Sequence, residues 1–165
     1  MIVHPFPPLY SADSKTLILG SFPSVKSRQQ GFYYGHPQNR FWKVAAAVCG
    51  RPVPETVEEK RLLILESGLA LWDSIGSCEI TGSSDASIRN AVPNDIAGLL
   101  AGSGIERIFC NGTRSWEIYM KYQYPLTGIE AVKLPSTSPA NAAWSLERLI
   151  EAWRVIGEGK YKRSV

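Results

Sequence analysis

The run Thr16-Leu17-Ile18-Leu19-Gly20 decides the fold of this chain. It is short, mostly apolar and ends in glycine, which is typical of a strand buried on both faces of a parallel sheet. Three similar runs follow at 69–72, 105–110 and 129–134, with helical patterns between them. Because strands and helices alternate four times, the sequence predicts an α/β fold, a three-layer α/β/α sandwich around a central four-stranded parallel sheet.

The segments between these strands complete the prediction. Helices are expected at about 40–49 and 55–67, from 93–95 to about 102, around 116–120, and at the end of the chain, where Leu146, Leu149, Ile150 and Trp153 share one face. Residues 26–28 should form a basic loop, and 76–92 a loop long enough to suggest a function. We expect a single domain over 1–165, with an extended arm at 1–15 and a basic tail at 157–165.

Composition limits the class of protein. The chain has 165 residues, enough for one domain with a proper core, and a net charge of +3, which permits nucleic-acid binding without requiring it. No apolar run is long enough to cross a bilayer, and the first residues lack signal-peptide features, so we expect a cytoplasmic protein with no membrane partner. Cys49, Cys78 and Cys110 are dispersed, which argues against a disulfide framework, a zinc site or an iron–sulfur cluster. We expect no metal and no cofactor.

The stretch Gly31-Phe32-Tyr33-Tyr34-Gly35-His36-Pro37-Gln38-Asn39-Arg40-Phe41-Trp42 follows the first strand. A helix should begin near Asn39 or Arg40, since asparagine is a favoured N-cap. The polar side chains are then held at a helix start, and the aromatic ones can stack on a flat ligand; core packing is the alternative for any one of them. Residues after each parallel strand meet at one edge of the sheet, where open α/β folds bind ligands.

Four separated pieces of the chain carry a family resemblance. They are Leu19-Gly20-Ser21-Phe22-Pro23-Ser24, His36-Pro37-Gln38-Asn39-Arg40-Phe41-Trp42, Leu71-Trp72-Asp73 and Leu134-Pro135-Ser136-Thr137-Ser138-Pro139. Together, over about 16–153, they resemble the uracil-DNA glycosylase superfamily. The second piece resembles the mismatch-specific (thymine/uracil) branch, but the first piece and the Tyr-Tyr-Gly-His-Pro-Gln-Asn run look most like the hypoxanthine-DNA glycosylase branch, family 6.

Departures from the superfamily pattern refine the expectation. Most members place an Asp or Asn two residues after the first glycine to orient the attacking water, but Phe22 stands there. In the hypoxanthine branch the residue matching Asn39 is catalytic, so the resemblance implies that Asn39 orients this water. The last piece has Ser-Thr-Ser-Pro where other branches have a His or Asn, so stabilisation of the leaving group by an imidazole is not expected.

The resemblance implies a monofunctional DNA glycosylase that flips a deaminated base, foremost hypoxanthine, out of double-stranded DNA and hydrolyses its glycosidic bond. We expect it to act as a monomer. The catalytic candidate is Asn39, whose amide can accept from water and donate to sugar or base. The base-binding candidates are Ser21, Phe22, Tyr34, Asp73 and Asn111. The DNA-binding candidates are Ser24, Lys26, Arg28, Ser136, Ser138, Pro139, Ala140 and Asn141, with Asn141 expected as the N-cap of the last helix and Pro139-Ala140 as a wedge in the groove. Arg40 and Lys43 would add attraction to phosphates.

Asp73 is the strongest candidate for the residue that discriminates between bases. An ionised carboxylate only accepts hydrogen bonds, so it would hold the N1–H of hypoxanthine and reject the bare N1 of adenine. The alternative is an aspartate that caps a turn.

Three other functions stay open. Uracil, which also presents an N–H, could be the main substrate of the same enzyme. The loss of a water-orienting residue at Phe22 would also suit a non-catalytic DNA-binding relative. A lyase that forms a Schiff base has little support, although Lys133 lies close to a strand end.

Overall fold

The computed structural model describes residues 1–157. Its strands are β1 (Ile2–Val3), β2 (Thr16–Gly20), β3 (Leu69–Asp73), β4 (Ile75–Glu79), β5 (Arg89–Pro93), β6 (Arg107–Asn111) and β7 (Val132–Leu134). Its α-helices are α1 (Val25–Gln30), α2 (Phe41–Cys49), α3 (Val57–Glu66), α4 (Ile96–Ala101), α5 (Thr113–Ile118), α6 (Tyr124–Thr127) and α7 (Leu146–Trp153), with a π-helical segment at Tyr119–Gln123 between α5 and α6. The predicted basic tail at 157–165 lies, beyond Gly157, outside the described residues.

The predicted parallel sheet is confirmed. Its four strands lie in the order β3-β2-β6-β7, and every neighbouring pair is parallel. β2 is buried over its whole length, as its apolar sequence requires. Gly20 pairs with Asp73, and Asn111 pairs with Leu134, so the last residues of the strands share one edge of the sheet.

Alternating side chains of β2 divide the core into two layers. Ile18 packs on one face of the sheet in a cluster with residues of α2 and α7, such as Phe41 and Trp153. Leu17 and Leu19 point to the opposite face and pack with Ile96, Ile108 and Tyr119. Because helices cover both faces, the three-layer α/β/α arrangement is confirmed.

A second, antiparallel sheet was not predicted. Within residues 1–157 it has the strand order β1-β4-β5. Thus 76–92 is not one long loop: β4 and β5 occupy its two ends, and 80–88, with a short 3₁₀ turn at Asp85–Ser87, connects them. The arm is also more ordered than expected, since Ile2 and Val3 pair with β4, and Leu9 exchanges two backbone hydrogen bonds of 2.9 Å with Leu71 of β3.

Two local predictions were wrong. Residues 26–28 lie in α1 and not in a loop, because the Ser24 side chain accepts a hydrogen bond from Ser27 N and caps this helix. Asn141 does not cap the last helix; Ser145 does, by accepting from Arg148 N. α2 begins at Phe41 and its N-cap is Arg40, as one of the two predicted starts has it, so Asn39 is not the N-cap. Asn39 lies one residue earlier, and its Oδ1 accepts a hydrogen bond from Phe41 N over 2.9 Å.

No helix among residues 1–157 combines the length and the apolar character needed to cross a membrane.

Candidate active site

One cavity of about 860 Å³ opens at the carboxyl edge of the parallel sheet. A volume of this size is in the range of pockets that hold small organic ligands. Most of the residues predicted for the site line it: Ser21, Phe22, Ser24, Tyr34, Asn39, Asp73, Asn111, Ser136, Ser138, Pro139, Ala140 and Asn141. The cations Lys26 and Arg28 are not part of the lining. The four sequence pieces therefore meet in one place.

The carboxamide of Asn39 is fixed by two donors. Its Oδ1 accepts from Phe41 N over 2.9 Å and from Thr137 Oγ1 over 2.8 Å. Since a backbone N–H can only donate, the oxygen of the amide must face Phe41 and the nitrogen must face the other way. Both lone pairs of Oδ1 are then engaged. The group of Asn39 that stays available toward the cavity is the Nδ2 donor.

Thr137 and Asn111 hold the Asn39 carboxamide in place through a chain of hydrogen bonds. Asn111 Nδ2 donates to Thr137 Oγ1, and Thr137 N donates to Asn111 Oδ1, each over 3.0 Å. Thr137 is fully buried and Asn111 is 8 % exposed. The amide of Asn111, predicted to bind the base, is thus already paired with Thr137, and its second N–H and lone pair are what it could offer to a ligand.

Asp73 is paired with a residue of the arm. His4 Nε2 lies 2.7 Å from Asp73 Oδ2, and the two side chains are only 4 % and 5 % exposed. Oδ1 has no hydrogen-bond partner within residues 1–157, and it faces the Cα of Gly20. A Cβ on residue 20 would lie 2.4 Å from this oxygen, so glycine is required there for the carboxylate to approach the strand end.

Tyr34 adopts a backbone conformation that few residues other than glycine accept. Its φ is +52°, in the left-handed region, and its ring stacks on Phe41 at 4.1 Å. Its hydroxyl is buried and makes no hydrogen bond of ordinary length and angle within residues 1–157, although the Asn111 side chain lies close enough to lower its pKa; a Cβ on Gly20 would lie 2.9 Å from it. Burial, with the nearby charge of Asp73, raises the pKa of Tyr34, so its hydroxyl stays a donor. Such strain is typical of functional sites.

Phe22 and Ser21 connect the cavity to the 80–88 loop. Phe22 is buried against Ile75, Cys78 and Ile88 while it lines the cavity, so it serves as both core and wall. Ser21 Oγ donates to Asp85 Oδ1 over 2.7 Å. Partial burial raises the pKa of the Asp85 carboxyl above its ordinary value, and the charge of Asp73 adds to the rise.

Two arginines bind loops rather than solvent. Arg28 Nη2 donates to the carbonyl of Gly82 over 2.8 Å, and its guanidinium lies over the Phe22 ring. Arg40 donates to three carbonyls of the 138–144 segment, those of Ser138, Asn141 and Trp144. The expected contribution of Arg40 to phosphate attraction is therefore reduced, because its Nη atoms are already bound to protein.

The segment after β7 forms a compact turn. Ser136 Oγ accepts from Ser138 N, Ser138 Oγ accepts from Ala140 N, and Asn141 Nδ2 donates to the carbonyl of Ser136. Pro139 and Ala140 are exposed at its tip. The role of this tip as a wedge stays a prediction, and the hydroxyls of the segment are partly engaged within the turn.

Three residues of the site were missed from the sequence. A lone His4 in a proline-rich arm carries no pattern that signals a partner 69 positions away. Asp85 lies in the segment suspected of function, but nothing singled it out. Thr137 stood within a quoted motif between two predicted serines, and its position was the available signal.

Lys133 lines the cavity, and its Nζ lies over the Trp116 ring at 5.3 Å. No group of three or more His, Cys, Asp or Glu side chains arranged to hold a metal occurs among residues 1–157.

Comparison with known proteins agrees with this geometry. The family described as the uracil DNA glycosylase superfamily matches residues 7–157. A protein of Methanosarcina acetivorans named hypoxanthine DNA glycosylase is 34% identical over 160 residues, which cover 94% of this chain and 98% of the relative. A protein of the same name from Methanosarcina barkeri is 31% identical over 140 residues, covering 82% and 86%.

A solved structure has the same fold. It is a solution NMR structure of a candidate uracil DNA glycosylase from Methanosarcina acetivorans, with a TM-score of 0.81 and 31% sequence identity. The superposition covers 96% of this chain and 98% of that chain.

Proposed function

Because this chain belongs to the uracil DNA glycosylase superfamily, we propose that it excises deaminated bases from DNA, foremost hypoxanthine. It is a DNA glycosylase, so its substrate is DNA and its reaction is hydrolysis of the bond between sugar and base. The observation that carries the substrate proposal is the free Oδ1 of Asp73 at the cavity wall. Hypoxanthine presents an N1–H to such an acceptor, whereas adenine presents a lone pair.

The geometry favours Asn39 as the residue that positions the attacking water. Its Oδ1 is occupied by Phe41 N and Thr137 Oγ1, so Asn39 acts through the Nδ2 donor. An N–H of this group would bind one lone pair of the water and leave the other aimed at the sugar carbon. Cleavage passes through an oxocarbenium-like sugar, for which a weak but well-placed nucleophile can suffice. Tyr34 would stack on the flipped base and Phe22 would close the cavity wall, with Ser21 and Asn111 at the ends of β2 and β6.

DNA would approach from the side of the exposed tip formed by Pro139 and Ala140. An apolar wedge there would fill the space left by the flipped nucleotide. Hydroxyl and amide groups of the same turn suit hydrogen bonds to the phosphates of the DNA backbone; they belong to Ser136, Ser138 and Asn141. Ser24, at the start of α1, would make a similar contact. Lys26 would add sequence-independent attraction, and Arg28 would add less, because its Nη2 already donates to the Gly82 carbonyl. We propose that a monomer suffices, since one chain supplies this lining; the cytoplasmic location stays a prediction.

The decisive experiment uses duplexes with one inosine, one uracil or one xanthosine. Wild-type protein should release free hypoxanthine fastest, and N39A should lose most of this activity. Gln38→Ala is the matched control, because Gln38 is exposed, lies next to Asn39 and does not line the cavity.

Three results would contradict the proposal. Faster release of uracil than of hypoxanthine would make uracil the main substrate. Binding of the inosine duplex without base release, with N39A behaving like wild type, would indicate a non-catalytic relative. Trapping of the protein on DNA by borohydride would indicate a lyase, for which Lys133 is the cavity lysine to test.

A further inference from the structure

The buried pair of His4 and Asp73 allows its protons to be counted. His4 Nδ1 lies 2.8 Å from the carbonyl oxygen of Phe6, and Nε2 lies 2.7 Å from Asp73 Oδ2. A carbonyl only accepts, so Nδ1 carries a hydrogen. The contact between Nε2 and Oδ2 also needs a proton, because two lone pairs at 2.7 Å would repel each other. Either the pair is imidazolium and carboxylate, or neutral imidazole and carboxylic acid.

Both forms of the pair have the same two properties. The net charge of His4 and Asp73 together is zero. The shared proton lies between Nε2 and Oδ2, so Oδ1 is a hydrogen-bond acceptor in either form. Without the histidine, a buried carboxylate would either keep an uncompensated charge or take up a proton, and a carboxylic acid can donate as well as accept.

Charge neutrality matters for the reaction. As the glycosidic bond breaks, negative charge collects on the departing base. An unpaired carboxylate against the base would repel this charge and oppose catalysis, most strongly in a dry site. Paired with His4, Asp73 can accept the N–H of the base without that repulsion.

The fold holds His4 firmly in this position. Val3 pairs with Ser77 of β4, and His4 N donates to the carbonyl of Gly76 over 2.7 Å. The imidazole is surrounded by aromatic rings, with Phe6 at 4.8 Å, Phe22 at 6.0 Å and Tyr33 at 6.4 Å between centroids. These rings exclude water, and the second sheet thereby contributes directly to the base-binding wall.

We propose that His4 is the positioning residue that keeps Asp73 a neutralised, acceptor-only reader of the base N–H. The inference rests on the proposed function and assigns a role to the arm and to the second sheet. His4 itself need not touch the base. Its removal should lower both the rate of hypoxanthine release and the preference for bases that present an N–H.

The test measures single-turnover release of base from two duplexes, one with hypoxanthine and one with unsubstituted purine, whose N1 is a bare acceptor. H4A should slow hypoxanthine release by about 100-fold and lower the hypoxanthine-to-purine ratio by about tenfold. H4Q can still donate to Oδ2 but carries no charge, so it should slow release while the ratio is kept. Val3→Ala is the matched control, since it alters an exposed side chain of β1, immediately before His4.

A double-mutant cycle separates this role from a structural one. In the Asp73→Asn background there is no carboxylate to neutralise, so H4A should slow release less than about twofold further. Equal rates and ratios for H4A and V3A, or an undiminished effect of H4A beside Asp73→Asn, would overturn the inference. If H4A does not fold, comparison of H4Q with V3A decides. If the wild-type protein releases no hypoxanthine at all, the proposed function fails instead.

Discussion

The replacement of Asn39 by aspartate distinguishes the roles that its two side-chain atoms, Oδ1 and Nδ2, would have in the proposed reaction. In N39D one carboxylate oxygen can keep the hydrogen bonds from Phe41 N and Thr137 Oγ1, while the other replaces the Nδ2 donor with an acceptor. If Asn39 acts as a donor, N39D should be folded but inactive. If it acts as a base toward the water, N39D should be as active as wild type or more so.

The magnitudes follow from the contacts. N39A leaves Phe41 N without its side-chain acceptor, which costs about 1 kcal/mol, and leaves the hydroxyl of buried Thr137 without an acceptor, which costs about 1–3 kcal/mol. For a domain of this size about 1 kcal/mol lowers Tm by roughly 2–4 °C. N39D should therefore lose little stability. Loss of one preorganised donor should lower its rate by about 10²–10³-fold.

The assay pairs single-turnover release of hypoxanthine with thermal denaturation. Gln38→Asp is the control for charge, because it adds the same negative charge one residue earlier at an exposed position outside the cavity. The donor role is refuted if N39D releases hypoxanthine at the wild-type rate. The bonding scheme is refuted if N39D is as unstable as N39A.

Three further predictions concern the cavity wall. Gly20→Ala would place a Cβ 2.4 Å from Asp73 Oδ1, so hypoxanthine release should fall at least tenfold with a stability cost of about 1–3 kcal/mol, and an unchanged rate would contradict the close approach. Tyr34→Phe should slow base release but change the free energy of unfolding by less than about 1 kcal/mol, because the hydroxyl makes no hydrogen bond of ordinary length and angle within residues 1–157; a larger loss of stability in denaturant would indicate that it bonds to the nearby Asn111 side chain. The raised pKa of Asp85 means that the folded state binds its proton more tightly than the unfolded chain, so this residue's contribution to stability is present in acid and is lost as pH rises through the raised pKa. Asp85→Asn should remove that loss, seen as a Tm that falls less between acidic and neutral pH than in wild type.

The sequence predicted the parallel sheet because its strands are nearly continuous apolar runs. β2 was predicted residue for residue at 16–20, and the ends of the other strands differed from the prediction by at most three residues. The second sheet was not predicted because its strands are not continuous apolar runs. β1 is two residues long, and β5 is half-buried or exposed throughout, so its pairing with β4 depends on tertiary contacts.

The site was predictable where residues follow strands. Asp73 and Asn111 end their strands, and Asn39 lies just before α2. The sequence motifs, together with the rule that ligands bind at the carboxyl edge of a parallel sheet, therefore predicted that these residues meet at one edge. His4 could not be placed in this way, because its contact spans 69 positions and depends on the unpredicted sheet. The prediction that Asn39 accepts a hydrogen bond from water does not fit the structure, because Thr137 Oγ1 and Phe41 N already donate to its Oδ1. The sequence carries no signal for these two contacts.

The guanidinium of Arg40 has a consequence for how the protein engages nucleic acid. It binds the backbone of the 138–144 segment, and it is the immediate neighbour of Asn39. Three hydrogen bonds therefore link the segment that carries the exposed tip to the residue beside the Asn39 carboxamide, and we expect a displacement of the tip by stacked bases to shift the amide as well. Insertion into the double helix and alignment of the hydrolytic water would then be a single event, and an isolated deoxyinosine nucleoside, which offers nothing to wedge apart, should be a poor substrate.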